Sequence, residues 1–238
     1  MTLPSLRETL DAHGLSAKKS FGQHFLLDLN VTRKIVRYAG PFDGRAVIEV
    51  GPGPGGLTRA LLESDAGKVV LVEKDPRFIP LLGELDDGSG RLTIVEADAL
   101  KVKEAELVEG PAHLVSNLPY NVGTPLLIKW LTGAFTPASM TLMFQKEVAD
   151  RVAAEPGSEA YGRLSVIAQA TSHTAVVMDV PARAFTPPPK VASAVARLTP
   201  RADRPASERL DALQRVTAAA FGQRRKMLRS SLKVLGGA

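Results

Sequence analysis

Apolar and polar positions along the chain alternate between two periods. Val47, Ile48 and Val50 form a short apolar run at the head of Val47–Gly56, which reads VIEVGPGPGG. Such a run, bounded by glycines, predicts a buried strand. Leu57–Leu62 then predicts the start of a helix. Lys68–Glu73 (KVVLVE) predicts a second strand and Arg91–Asp98 (RLTIVEAD) a third, each ending in an acid. His113–Tyr120 (HLVSNLPY) predicts a fourth, and Met140–Phe144 a fifth. Helical spacing marks Asn30–Tyr38, Gly123–Leu131, a segment from about Lys146, and Gly162–Ala170. Thr174–Val180 and Val191–Leu198 read as a closing pair of strands. Met1–Leu15 reads as a helix or mobile lead-in, Glu104–Glu109 as a polar connector and Thr199–Ala206 as a linker. Ser207 is then the expected N-cap of a last helix with Leu210, Leu213, Val216 and Ala220 as its stripe. Strands that alternate with helices predict an α/β fold on a mostly parallel, doubly wound sheet.

The glycines after the first strand give that fold a site. Gly51, Gly53, Gly55 and Gly56 follow within six residues, and Gly51-x-Gly53-x-x-Gly56 fits a nucleotide-binding turn. By itself such a turn is weak evidence, since a bare structural turn has the same glycines. Its partners sharpen it. Glu73 closes the second strand about twenty residues on, where a ribose hydroxyl partner belongs. Asp98 closes the third. Gly51, Glu73 and Asp98 at the carboxyl ends of three strands outline a nucleoside-shaped pocket.

The fourth strand runs into Asn117-Leu118-Pro119-Tyr120. Pro119 stiffens the turn and restricts Leu118 to extended backbone, so an amide side chain, a carbonyl and a ring keep a fixed relation. In a doubly wound sheet this turn lies beside the glycine turn. If the cofactor is S-adenosylmethionine, its methyl group is already activated and the protein has only to align an acceptor. The Asn117 oxygen and the Leu118 carbonyl would accept the hydrogens of an exocyclic amine and stabilise its developing charge. Tyr120 would stack the base.

Composition narrows the picture a little. The 238 residues carry a net charge of +5, with 45% hydrophobic and 23% charged residues. Cysteine is absent, which excludes disulfides, thiolate zinc sites and cysteine nucleophiles. His24 has no second histidine at metal spacing, so no metal is expected. No stretch has signal-peptide or membrane-spanning character, and the expected location is the cytoplasm. Ser16–Leu27 (SAKKSFGQHFLL) combines Lys18 and Lys19 with Phe21, Gly22 and Phe25. It reads either as a basic loop or as a lid whose backbone touches the ligand. Phe185-Thr186-Pro187-Pro188-Pro189-Lys190 is a stiff extended segment that can hold Phe185 in place. After Asp211 the chain has no acid, while Arg215, Arg224, Arg225, Lys226, Arg229 and Lys233 follow. One-signed charge of that kind suits a phosphate-contacting surface.

Taken together, VIEVGPGPGGLT, VVLVEKD, EADAL, NLPYN, QKEVADR, AYGRLS, FTPPPKV and FGQRRKMLR resemble the bacterial small-subunit (16S) ribosomal RNA adenine dimethyltransferase family, and SFGQHFLLD matches its N-terminal motif. The resemblance covers about Lys18 to Leu232. It implies a class I methyltransferase, Rossmann-like, with a mostly parallel seven-stranded sheet and a small C-terminal helical domain. The corresponding division is a catalytic domain over 1–198 and a helical RNA-contacting segment over 207–238. It implies transfer of two methyl groups to N6 of each of two adjacent adenosines in the 3′-terminal hairpin of 16S RNA. By motif, the S-adenosylmethionine contacts fall on His24, Leu26, Gly51, Glu73, Asp98 and Asn117. The target-base contacts fall on Asn117, Leu118, Tyr120 and Phe185. The implied partner is 16S RNA in the immature small subunit, met by a monomer with no membrane role. Two departures stand out: His24 occupies a position where the family often has Asn, and the family's helical domain usually continues by some tens of residues past the position of Ala238. The rivals are the related 23S RNA dimethyltransferases, a non-catalytic RNA-binding or transcription factor on the same fold, and a nicotinamide-dependent dehydrogenase. FTPPPKV and FGQRRKMLR favour the small-subunit group, and the Asn117–Tyr120 turn offers no obvious proton donor for hydride chemistry.

Overall fold

The structure is a computed structural model that describes residues 4–15, 24–223 and 226–236. Its centre is a seven-stranded sheet. Strands β2 (Ala46–Val50) and β3 (Lys68–Glu73) pair in parallel, with Ala46 opposite Lys68. The short β1 (Phe25–Leu26) precedes them outside this sheet. β4 (Leu92–Glu96) adds to the free side of β3. β5 (Ala112–Asn117) and β6 (Ser139–Gln145) extend the sheet from the other side of β2, also in parallel. β7 (Ser172–Val180) and β9 (Ser193–Pro200) close it in the order β4-β3-β2-β5-β6-β9-β7, with β9 antiparallel to both neighbours. Between them β8 (Phe185–Thr186) leaves the sheet and pairs with β1, Leu26 opposite Phe185.

Alternation along each strand divides the core in two, because successive side chains point to opposite faces. Val47, Val69, Leu71 and Val115 pack with α2 (Leu29–Ala39) and α3 (Gly56–Leu62) on one face. Ile48, Val70, Leu114 and Leu142 pack with α5 (Gly123–Thr132), α6 (Lys146–Ala153) and α7 (Arg163–Thr171) on the other. α1 (Leu6–Ala12) and α4 (Ile79–Gly83) are short accessories. Burial on both faces is why β2 and β3 read as near-continuous apolar runs.

β2 leads to β3 on one side, while β5 returns on the other. The crevice between β2 and β5 is therefore the switch point of the sheet, where doubly wound folds bind ligands beyond the strands' carboxyl ends. Gly51 follows β2 there, and Asn117 ends β5.

Several expectations shift. The third strand is shorter than Arg91–Asp98. Arg91 instead donates to the carbonyls of Leu62, Ser64 and Ala66, and Asp98 lies in the turn beyond β4. The Glu104–Glu109 connector is not merely polar. Glu104 is buried and accepts from Lys129 Nζ at 2.7 Å and Trp130 Nε1 at 2.6 Å. α8 (Ser207–Gly222) takes Ser207 as its first residue, with Ala206 at the cap position and no side-chain cap bond. Its buried side turns on Leu210 and Thr217, while Val216 faces outward. α9 (Leu228–Ser231) follows. Lys18, Lys19, Phe21, Gly22, Arg224 and Arg225 lie outside the described residues.

Candidate active site

Two glycines show why the turn after β2 needs glycine. Gly51 has φ +66°, and a Cβ there would stand 3.4 Å from Pro119 Cδ. The glycine turn thus touches the Asn117–Tyr120 turn directly. At Gly56 a Cβ would run into the carbonyl oxygen of Leu26. β1 is seated hard on the start of α3, which brings His24, Phe25 and Leu26 to the rim. The resulting cavity encloses about 1240 Å³ of non-protein space, its open mouth included. Its lining contains all nine residues singled out from the sequence: His24, Leu26, Gly51, Glu73, Asp98, Asn117, Leu118, Tyr120 and Phe185.

The acids hold the frame of this cavity. Glu73 Oε2 accepts from Gly53 N at 3.0 Å, and Oε1 from Asp75 N at 2.7 Å. One carboxylate therefore ties the end of β3 to the glycine turn. Burial pushes its pKa up, opposed by the backbone bonds from Asp75, Gly53 and Lys74. With three backbone donors on it, about one of the carboxylate's four lone-pair sites is left for a hydroxyl. Asp98 accepts from Lys74 Nζ at 2.9 Å and from Leu100 N at 3.0 Å. The Lys74 bond is the main reason its pKa lies below the ordinary carboxylate value.

At the end of β5, Ser116 Oγ donates to the Val50 carbonyl at 2.5 Å and fastens the two strand ends together. Pro119 O accepts from Val122 N and Gly123 N, which starts α5. Leu118 buries its side chain. Among the described residues the Asn117 side chain makes no hydrogen bond, and the Leu118 carbonyl accepts none from the backbone. These two acceptors sit side by side on a stiff turn, and the chemistry they suit is capture of an N–H donor. Tyr120 is held by its hydroxyl, 2.7 Å from Ser193 Oγ, and burial raises its pKa. Its ring lies 5.5 Å from that of His24. His24 Nδ1 is 2.8 Å from the carbonyl of Pro187. A carbonyl only accepts, so Nδ1 carries the proton. Phe185 is buried opposite Leu26. The β1–β8 pair thus joins the N-terminal motif to the proline-rich segment at the cavity rim.

Sequence reasoning missed three contributors. Glu49 lies in the cavity lining and is buried, with Thr58 Oγ1 donating to its Oε2 at 2.7 Å. Burial pushes its pKa up to about 8. An acid inside the VIEV strand was the available signal. Lys74 and Ser193 carried no signal, because neither their spacing nor their type sets them apart. Among the described residues no group of three or more His, Asp or Glu gathers as a metal site, and no helix is long and apolar enough to cross a membrane.

Comparison with known proteins gives this geometry its context. The family model for ribosomal RNA adenine dimethylase matches residues 14–238. A Phenylobacterium zucineum protein named ribosomal RNA small subunit methyltransferase A is 75% identical over 237 residues, 99% of this chain and 83% of the relative. Among solved structures, a dimethyladenosine transferase from Plasmodium falciparum aligns with a TM-score of 0.75 and 29% identity, over 88% of this chain and 75% of that one. The 23S rRNA methyltransferase ErmE aligns with a TM-score of 0.72 at 29% identity, over 88% of this chain and 84% of its own. The class I methyltransferase fold implied by the motifs is the fold observed. The chain belongs to the ribosomal RNA adenine dimethylase family.

Proposed function

We propose that this chain dimethylates N6 of two adjacent adenosines in the 3′-terminal hairpin of 16S RNA, acting as a monomer on the immature small subunit in the cytoplasm. Its family makes it an S-adenosylmethionine-dependent ribosomal RNA adenine dimethyltransferase. The single observation that carries the site assignment is the shared cavity. The free Asn117 and Leu118 acceptors meet the glycine turn and the Glu73 and Asp98 carboxylates in one lining.

The residues present fit the cofactor. Glu73 offers its remaining lone pair to a ribose hydroxyl and Asp98 offers one to the adenine amine. Gly51, His24 and Leu26 line its methionine side, and Asn117 stands between cofactor and target. When bound, the cofactor supplies a methyl group already activated on a sulfonium. Asn117 Oδ1 and the Leu118 carbonyl accept the two hydrogens of the adenine amine. Its lone pair, otherwise delocalised into the ring, is thereby turned toward the methyl group. Both acceptors then stabilise the positive charge that develops on nitrogen. Tyr120, fixed through Ser193, and Phe185 grip the extruded base. The domain assignment follows: residues 1–198 carry the chemistry, and 207–238 contact RNA.

The test is incubation with unmodified small subunits and methyl donor, followed by mass spectrometry of the digested nucleosides. Dimethyladenosine in small-subunit RNA is expected. Product only on large subunits would transfer the assignment to the 23S type, and no product on either would remove catalysis.

A further inference from the structure

Burial disfavours the charge of the Glu49 and Glu73 carboxyls in the cavity lining, but backbone N–H groups support Glu73, whereas among the described residues Glu49 has a single neutral hydroxyl. Glu49 lies on β2 with its side chain on the α3 face, in the same face as Val47 and Val115. It is 1% exposed. Among the described residues its one hydrogen-bond donor is the neutral Thr58 hydroxyl. The charged groups around it give no help. Glu73 on the neighbouring strand is a second acid and repels it. Asp75 is paired with Arg77. Arg59 on α3 is turned away, donating to Pro4 O and Thr9 Oγ1. Lys74 is held at Asp98, and His24 at Pro187 O. A buried carboxyl with a neutral donor and an acidic neighbour keeps its proton.

From this arrangement we infer that Glu49 exchanges its proton with solvent according to the charge in the cavity, releasing it when the sulfonium cofactor binds and recovering it after methyl transfer. This rests on the reading of the cavity as the S-adenosylmethionine site. The sulfonium cofactor carries one more positive charge than its thioether product. A positive charge introduced in a low-dielectric cavity favours the carboxylate. In the transfer the S–CH₃ bond breaks with its electron pair left on sulfur, and the N6–CH₃ bond forms. The methylated amine sheds one proton. The cavity's charge falls by one, and Glu49 takes up one proton in turn. Binding then releases a proton, and the chemical step is proton-neutral overall.

The test is titration calorimetry of the intact protein with S-adenosylmethionine and with S-adenosylhomocysteine at pH 7, in phosphate, HEPES and Tris. The slope of observed heat against buffer ionisation enthalpy counts protons. We expect S-adenosylmethionine to release a large fraction of one proton and S-adenosylhomocysteine clearly less. Affinity for the sulfonium form should rise by up to about tenfold per pH unit from pH 6 and level off above pH 8. Glu49→Gln keeps the shape and a partner for Thr58, and should abolish the release. Thr58→Val, which removes the donor, should carry the release to higher pH and serves where Glu49→Gln does not fold. Saturable binding without proton release, equal release for both ligands, or unchanged release in Glu49→Gln would overturn the inference alone. No binding of either ligand would overturn the reading of the cavity and this inference with it.

Discussion

At the scale of single residues, the proposed acceptor role gives Asn117 the most specific task. The first transfer uses an amine with two hydrogens, matching two acceptors. The second uses a methylamine with one hydrogen, so one acceptor must let go. Asn117→Ala is expected to lower turnover about 10²–10³-fold, the scale for one transition-state hydrogen bond. RNA binding should survive, because phosphate contacts supply most of that affinity. Asn117→Asp adds a charge and should accumulate monomethyladenosine. The ratio of mono- to dimethyladenosine over time reads both variants, and parent-like dimethylation by Asn117→Ala would refute the acceptor role. Glu73 holds Gly53 N and Asp75 N, and in the proposed site it serves the cofactor as well. Glu73→Ala should weaken S-adenosylmethionine about ten- to a hundred-fold, the equivalent of a charge-assisted bond of about 1.5–3 kcal/mol. Calorimetry with unchanged affinity in the folded variant would take Glu73 out of the site. At this scale the sequence was informative. Its nine candidate residues share one lining because strand ends and tight turns were their common feature. Glu49 escaped because an acid in an apolar run acquires meaning only once its partners are known.

At the scale of elements, two joints decide how the site is held. The first links α5 to the loop after β4. Lys129 Nζ donates to Ala99 O at 2.8 Å, to Val102 O at 2.5 Å and to Glu104. Ala99 lines the cavity, so this lysine braces the wall that Asp98 begins. Lys129→Met should destabilise the fold by about 3 kcal/mol, since it leaves the buried Glu104 without its cation. Urea melts would show this, and a loss well under 1 kcal/mol would mean the loop is held otherwise. The second element is the C-terminal pair α8 and α9. Lys226 and Arg229 are exposed there. If they meet RNA phosphates, Lys226→Ala with Arg229→Ala should flatten the log–log salt dependence of RNA binding by about 0.7–0.9 per contact. Cofactor affinity should not move. An identical slope would make them a solvated face. The long helices and the strands of the main sheet were legible at this scale from their period, whereas β1, β8 and α4 were not. The helix stripe rotated by one position, to Thr217 in place of Val216, because tertiary packing chose which side of α8 to bury.

At the scale of the whole molecule, Glu49 leaves a signature in stability. Its proton is bound more tightly in the native state than in the unfolded chain, where the carboxyl has its ordinary pKa near 4.5. The native state therefore gains most below that pKa. The gain is lost as pH rises, at up to about 1.4 kcal/mol per pH unit, and levels off above about pH 8. Denaturation of the parent and Glu49→Gln at pH 5, 7 and 8.5 should show the parent losing ground to the variant as pH rises. A constant difference would mean that Glu49 titrates normally. The order of the chain determined much of the molecule. Strand–helix alternation gave an α/β sheet, and the glycines and strand-end acids marked the edge where the cavity lies. Both are local, since period and turn chemistry act within a few residues. Tertiary structure alone decided which distant pieces meet. It set β1 against β8, closed Tyr120 on Ser193, and placed Lys74 on Asp98. Those pairings join residues far apart in sequence, and no local pattern specifies a contact that exists only after the sheet has brought its edges together.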